Sequence, residues 1–134
     1  MKKTIAALFA VVMIVAVVDV AAVAAGASTP HAKALSPTTI TVTDYHKQIA
    51  GNSSYAVKGQ LTSGGAGLGN KIVFPEYQYQ GEWAPLGGWV TTNADGTFTD
   101  KWTFGHGTWT YQYEFAGDNQ YAPCVSAPFT ITAS

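Results

Sequence analysis

Three histidines, one cysteine and eight carboxylates carry whatever acid–base, nucleophilic or metal chemistry this 134-residue chain commands. His31, His46 and His106 lie in separate segments, with no His-x-His or His-x-x-x-His spacing, so no local metal-ligand pair forms. Cys124 and His106 are the types needed for a nucleophile and its base, but no local signature joins them. Glu76 with Glu82, and Asp95 with Asp100, are the carboxylate pairs open to general acid–base work. Charges on strands and turns are ordinarily solvated faces, so the bland reading prevails for both pairs. Asn93, Asp95 and Thr97 alternate as in a calcium loop, but the rest of the ligand series and its terminal glutamate are missing. The chain is therefore expected to be no enzyme and to hold no metal or cofactor.

Aromatic residues offer a different chemistry, stacking on a sugar ring or a partner. The chain has four Trp, seven Tyr and six Phe. Trp102 and Trp109 run in phase with apolar neighbours and are expected in the core, and Tyr111 is a candidate corner tyrosine bonding back to the backbone. Tyr77, Tyr79, Trp83 and Trp89 are the candidate ligand-binding residues. Their facing stays open. If Ile72 and Phe74 face the core, Tyr77 and Tyr79 stand side by side in solvent. If Val73 does, the tyrosines turn inward, and Pro75 marks a possible bulge between the two parities. Asn52-Ser53-Ser54 is a glycosylation sequon in a loop.

The elements that position these residues are strands, because alternation dominates after residue 27 and no 3.6-residue apolar period appears. Thr39–Thr43 places Ile40 and Val42 on one face. Tyr55–Thr62 places Tyr55, Val57, Gly59 and Leu61 on one face, with Lys58 and Gln60 opposite. Lys71–Gln80 and Gly88–Thr92 are further strands, separated from Leu61 by the turn-rich Ser63–Asn70 and from each other by a loop around Pro85-Leu86-Gly87-Gly88. Asn93-Ala94-Asp95-Gly96 reads as a tight hairpin turn. Phe98, Trp102 and Phe104 share a face of the next strand. In Thr108–Phe115, Trp109, Tyr111, Tyr113 and Phe115 face one way, and Thr108, Thr110, Gln112 and Glu114 the other. Gly117-Asp118-Asn119 turns the chain towards a last strand with Phe129 and Ile131. About seven short strands at such spacing define an all-β fold, a single antiparallel sandwich over residues 38–134.

Before that domain the chain reads as an address. Lys2 and Lys3 precede an unbroken apolar run, Ile5–Val18, and small-x-small cleavage candidates follow at Ala22–Ala24 and Ala25–Ala27. Residues 1–26 are expected to be a signal peptide, with an uncleaved anchor or a pilin-like stem as the alternatives, and residues 27–37 a flexible linker. From Ala27 onward five Lys and no Arg stand against seven Asp or Glu, a net charge of −2. That excludes a phosphate-neutralising stripe and hence nucleic acid as a partner. A lone cysteine makes no intradomain disulfide, so the thiol is either buried or paired between molecules.

The order Gly59-Gln60-Leu61-Thr62, Gly67 to Val73, Trp83, Thr92 to Phe98, Gly107-Thr108-Trp109-Thr110-Tyr111, Phe115-Ala116-Gly117-Asp118 and Tyr121-Ala122-Pro123 resembles the bacterial and archaeal Ig-like domains of secreted or cell-surface proteins. The resemblance covers about residues 38–133. It implies an Ig-like sandwich and a spacer, adhesion or carbohydrate-associated role. Two features depart from the family: a single copy weakens the spacer role, and Cys124 stands where a small residue is usual. The functional expectation is a secreted or cell-surface module acting through protein contacts, by adhesion, surface-layer association or filament assembly, with self-assembly through edge strands open. The alternative is a small carbohydrate-binding module whose partner is a polysaccharide. A membrane is a partner only if the N-terminal helix is uncleaved.

Overall fold

The computed structural model describes residues 34–134, and the signal, anchor and His31 readings lie outside them. Eleven strand segments and no helix occur among the described residues: β1 Thr39–Asp44, β2 Gln48–Ile49, β3 Ser53–Ser63, β4 Ala66–Gly67, β5 Ile72–Tyr79, β6 Glu82–Pro85, β7 Val90–Thr91, β8 Thr97–Phe104, β9 Gly107–Phe115, β10 Cys124–Val125 and β11 Phe129–Ala133. They form two packed sheets. Sheet 1 runs β1–β3–β8, with β4 folded back on the end of β3; sheet 2 runs β2–β11–β9–β5–β6, with β10 beside β9 and β7 beside β5.

The alternating patterns become the core directly. Ile40, Val57, Leu61, Phe98 and Phe104 from sheet 1 meet Val73, Tyr111, Tyr113, Phe115, Phe129 and Ile131 from sheet 2. Phe98 and Tyr113 meet edge to face across the sheets at 4.9 Å. After β1 the chain crosses over at Tyr45, whose ring packs 5.0 Å from Phe129. β2 then pairs in parallel with β11, the rest of the ladder being antiparallel.

Four expectations need correction. Asn93–Gly96 is a turn, closed by Gly96 N–H to Asn93 O at 2.8 Å, but it joins no hairpin. β7 before it pairs with β5 and β8 after it with β3, so the turn carries the chain between sheets. The segment Ser63–Asn70 is more than a loop, since it contains β4 and the buried Leu68. The stretch after Gln80 begins with a strand. Gln80 and Gly81, both at positive φ (53° and 79°), close a two-residue hairpin from β5 into β6. Finally, Ser36, expected in the linker, is pinned to the 120–122 segment by bonds of 3.0 and 2.8 Å.

Candidate functional site

The facing of β5 follows from its register on β9, where Pro75 lies opposite Tyr113 and Tyr77 opposite Tyr111 without a bulge. Val73, Pro75, Tyr77 and Tyr79 therefore point to the inner side. Ile72, Phe74, Glu76 and Gln78 take the outer side, which settles the facing in favour of inward tyrosines. The pair of tyrosines is not a solvent platform: Tyr77 packs on the core, 6.0 Å from Trp109 and 6.3 Å from Tyr79. Trp83, opposite Gln78, sits on the outer face, away from them. Trp89 projects from the Gly87–Trp89 loop with 64% of its surface exposed. The four candidates thus divide between two faces and a loop.

What the fold does bring together is a cleft on the open side of the sandwich. Sheet 1 ends at β8, whereas sheet 2 continues past it into β6, so the inner face of β5 and β6 overhangs an uncovered flank. The peptide groups of β8 divide by parity. The carbonyls of Gly96 and Phe104 accept from Leu61 and Asn52 N–H on the β3 side, at 2.9 and 2.8 Å. The two-residue period then directs the peptide groups of Thr99, Lys101 and Thr103 to the other edge. Among the described residues no strand pairs with that edge.

Two adjoining hollows follow β8. One, of about 180 Å³, is walled by Tyr77, Leu86, Trp102, Phe104, Trp109 and Tyr111. The other, about 430 Å³ and more polar, is lined by Leu86, Trp89, Asp100, Lys101, Trp102 and Thr103 among others. Leu86 reaches the cleft because its N–H is tied to Pro75 O at 3.0 Å. Trp102 and Trp109, expected in the core, are only half-buried and form cleft walls. Tyr111, the corner-tyrosine candidate, is buried, and its ring meets that of Trp102 edge to face at 5.6 Å. Asp100 accepts a 3.1 Å bond from the Tyr113 hydroxyl, and burial raises its carboxyl above the ordinary value. Sequence missed these residues as a site because Trp102 and Trp109 have core-like spacing. The available signal was the Pro85-Leu86-Gly87-Gly88 interruption, which leaves no long strand to cover β8.

Other sequence candidates disperse. His106 precedes β9 and Cys124 lies opposite Phe115 at its far end, roughly 30 Å along an extended strand, so they form no nucleophile pair. Instead, His106 Nε2 accepts from Asn52 Nδ2 at 3.3 Å, so the exposed sequon amide has a partner. Glu76 and Glu82 occupy opposite faces of the β5–β6 hairpin, and Asp95 bonds Thr97 within its own turn. Cys124 is half-buried against the core, and burial pushes its thiol up. One carboxylate pair was not foreseen. Gln112 and Glu114 share the face of β9 opposite Tyr111 and Tyr113, as their alternation predicts, yet with Glu76 they are buried on the outer side of sheet 2. Gln112 Nε2 donates to Glu76 Oε1 at 2.8 Å. Burial, then the neighbouring Glu76 charge, pushes Glu114 up to about 7.

No protein-family model matches the chain, and no curated protein matches it.

Proposed function

We propose that this chain is an exported, non-catalytic module of Ig-like architecture that works through protein contacts on its open side. The observation that carries this reading is the unpaired edge of β8 running beside an aromatic cleft. A free strand edge supplies backbone donors and acceptors, and an adjoining apolar hollow supplies a place for a partner's side chain. The Ig-like reading is supported by the seven strands of four or more residues in two sheets, and by a first strand divided between them. Export rests on Lys2, Lys3 and the apolar run that follows.

The carbohydrate reading keeps one specific support. Trp89 is largely exposed beside Trp102, Asp100 and Lys101, a combination of ring face and polar groups suited to a sugar. Tyr79 and Trp83 lie outside the residues that line that hollow.

A photo-crosslinking amino acid placed at Lys101 in the producing cell tests the choice, with exposed Gln78 on the outer side of sheet 2 as control. The expected result is a discrete protein adduct from position 101 alone. A polysaccharide adduct, or equal labelling from both positions, contradicts the reading. Intact mass and fractionation of the same preparation test export.

A further inference from the structure

We propose that the groove along β8 receives an extended polypeptide strand, with one bulky apolar side chain in the Trp102–Tyr111 hollow and a lysine two residues away against Asp100. The proposal rests on the protein-contact reading above and names the partner's chemistry.

The two hollows succeed one another along a single strand. Residues 102–105 line the first, and residues 100–103 the second. Two residues of an extended chain advance about 6.7 Å and return to the same face, so alternate side chains of an added strand would enter both hollows. The first hollow, about 180 Å³ between Tyr77, Leu86, Trp102, Trp109 and Tyr111, has the size of one ring or branched side chain. For scale, a cavity of about 150 Å³ holds benzene.

Charge selects the second position. Among the described residues the one ion pair is Lys71 with Asp118, so Asp100 has no cationic partner. Its carboxylate lines the second hollow, held by a 3.1 Å bond from the Tyr113 hydroxyl. A lysine on the incoming strand would supply the cation that this carboxylate lacks. An acidic residue in the same place is repelled.

The same groups disfavour a second copy of β8 as the occupant. Antiparallel self-pairing that keeps both inner faces on one side sets Lys101 opposite Lys101, or Asp100 opposite Asp100, in its two central registers. Like charges directly opposed are destabilising.

The test uses the exported protein and a synthetic heptapeptide, Thr-Lys-Thr-Phe-Thr-Lys-Thr, symmetric so that either strand direction presents the lysine. Binding is followed by tryptophan fluorescence and by amide exchange. The expected result is slowed exchange at Thr99 and Thr103. Changing Phe to Ala, Lys to Glu, or N-methylating alternate peptide nitrogens should each weaken binding at least tenfold. Asp100→Asn should remove the preference for Lys over Glu peptides; the peptide series on the unaltered protein decides if that variant folds poorly. Equal binding of the N-methylated or Glu peptides overturns the proposal. So does exchange at Thr99 and Thr103 that slows with protein concentration alone, which would assign the groove to a second copy. Cellohexaose or chitohexaose perturbing the tryptophans where the peptide does not would assign it to sugar. If the peptides fail while position 101 still crosslinks to protein, strand addition falls and the protein-contact reading stands.

Discussion

Trp102 of β8 and Tyr111 of β9 meet across the two sheets with ring centroids 5.6 Å apart and planes at 68°. The contact ties the last strand of sheet 1 to the central strand of sheet 2 at the point where the sandwich opens. The Trp102 ring also lies 4.5 Å from Phe104. The same indole therefore closes the core on one side and walls the cleft on the other.

Trp102→Ala should accordingly cost stability as well as binding. Removing a half-buried indole with three ring neighbours is expected to destabilise by about 3 kcal/mol, and Trp102→Phe by about half as much. Urea unfolding followed by circular dichroism measures both. A loss under about 1 kcal/mol for the alanine variant would mean that Trp102 is not a wall of the core.

Glu76 and Glu114 give the domain an unusual pH dependence. Burial raises both carboxyls in the folded state, Glu114 from 4.5 to about 7. The folded protein then binds more protons than the unfolded chain between about pH 4.5 and 7. Stability should fall as pH rises through that window, by about 3 kcal/mol for Glu114, and level off above it. Asp95 and Asp118 act oppositely, since hydrogen bonds from Thr97 and Lys71 hold them low, and their contribution is lost in stronger acid. Thermal unfolding should show greatest stability near pH 5, and Glu114→Gln should raise stability at pH 8 by about 2 kcal/mol. Stability that rises between pH 5 and 7 would contradict this.

Much of the core was legible in sequence because it is local. In β9 the alternation of Trp109, Tyr111, Tyr113 and Phe115 needs no tertiary information, and it is matched by the structure. The facing of Tyr77 was not legible. It depends on which β5 residue meets Tyr113, a register fixed by β9 far along the chain. Burial of Gln112 and Glu114 escaped for the related reason that polar alternation reads as a solvated face. The cleft escaped because its defining feature is a missing strand partner. The tight turn at Asn93–Gly96 was legible, but its destination in the other sheet was not.

That turn is sterically constrained. A Cβ on Gly96, at φ 83°, would stand 2.3 Å from Leu61 O, whereas Gly64, at φ 58°, has nothing within 4 Å. Gly96→Ala should destabilise by about 3 kcal/mol or more, and Gly64→Ala by about 1 kcal/mol. Equal melting temperatures for the two variants would show that Gly96 does not hold the sheets in place.

Cys124 should behave as a masked thiol. Half-buried, with burial raising its ionisation, it should react slowly with iodoacetamide at neutral pH and fully in denaturant. Intact mass before and after labelling measures this, and a disulfide-linked dimer in the unreduced protein would contradict it.

The open edge of β8 is tested most directly by residue-resolved amide hydrogen exchange on the purified protein. The amides of Phe98, Trp102 and Phe104 face β3 and should exchange slowly, whereas those of Thr99 and Thr103 should exchange many times faster, in alternation along one strand. Uniformly slow exchange from 98 to 104 would mean that another strand already covers the edge, and the functional reading built on it would fall.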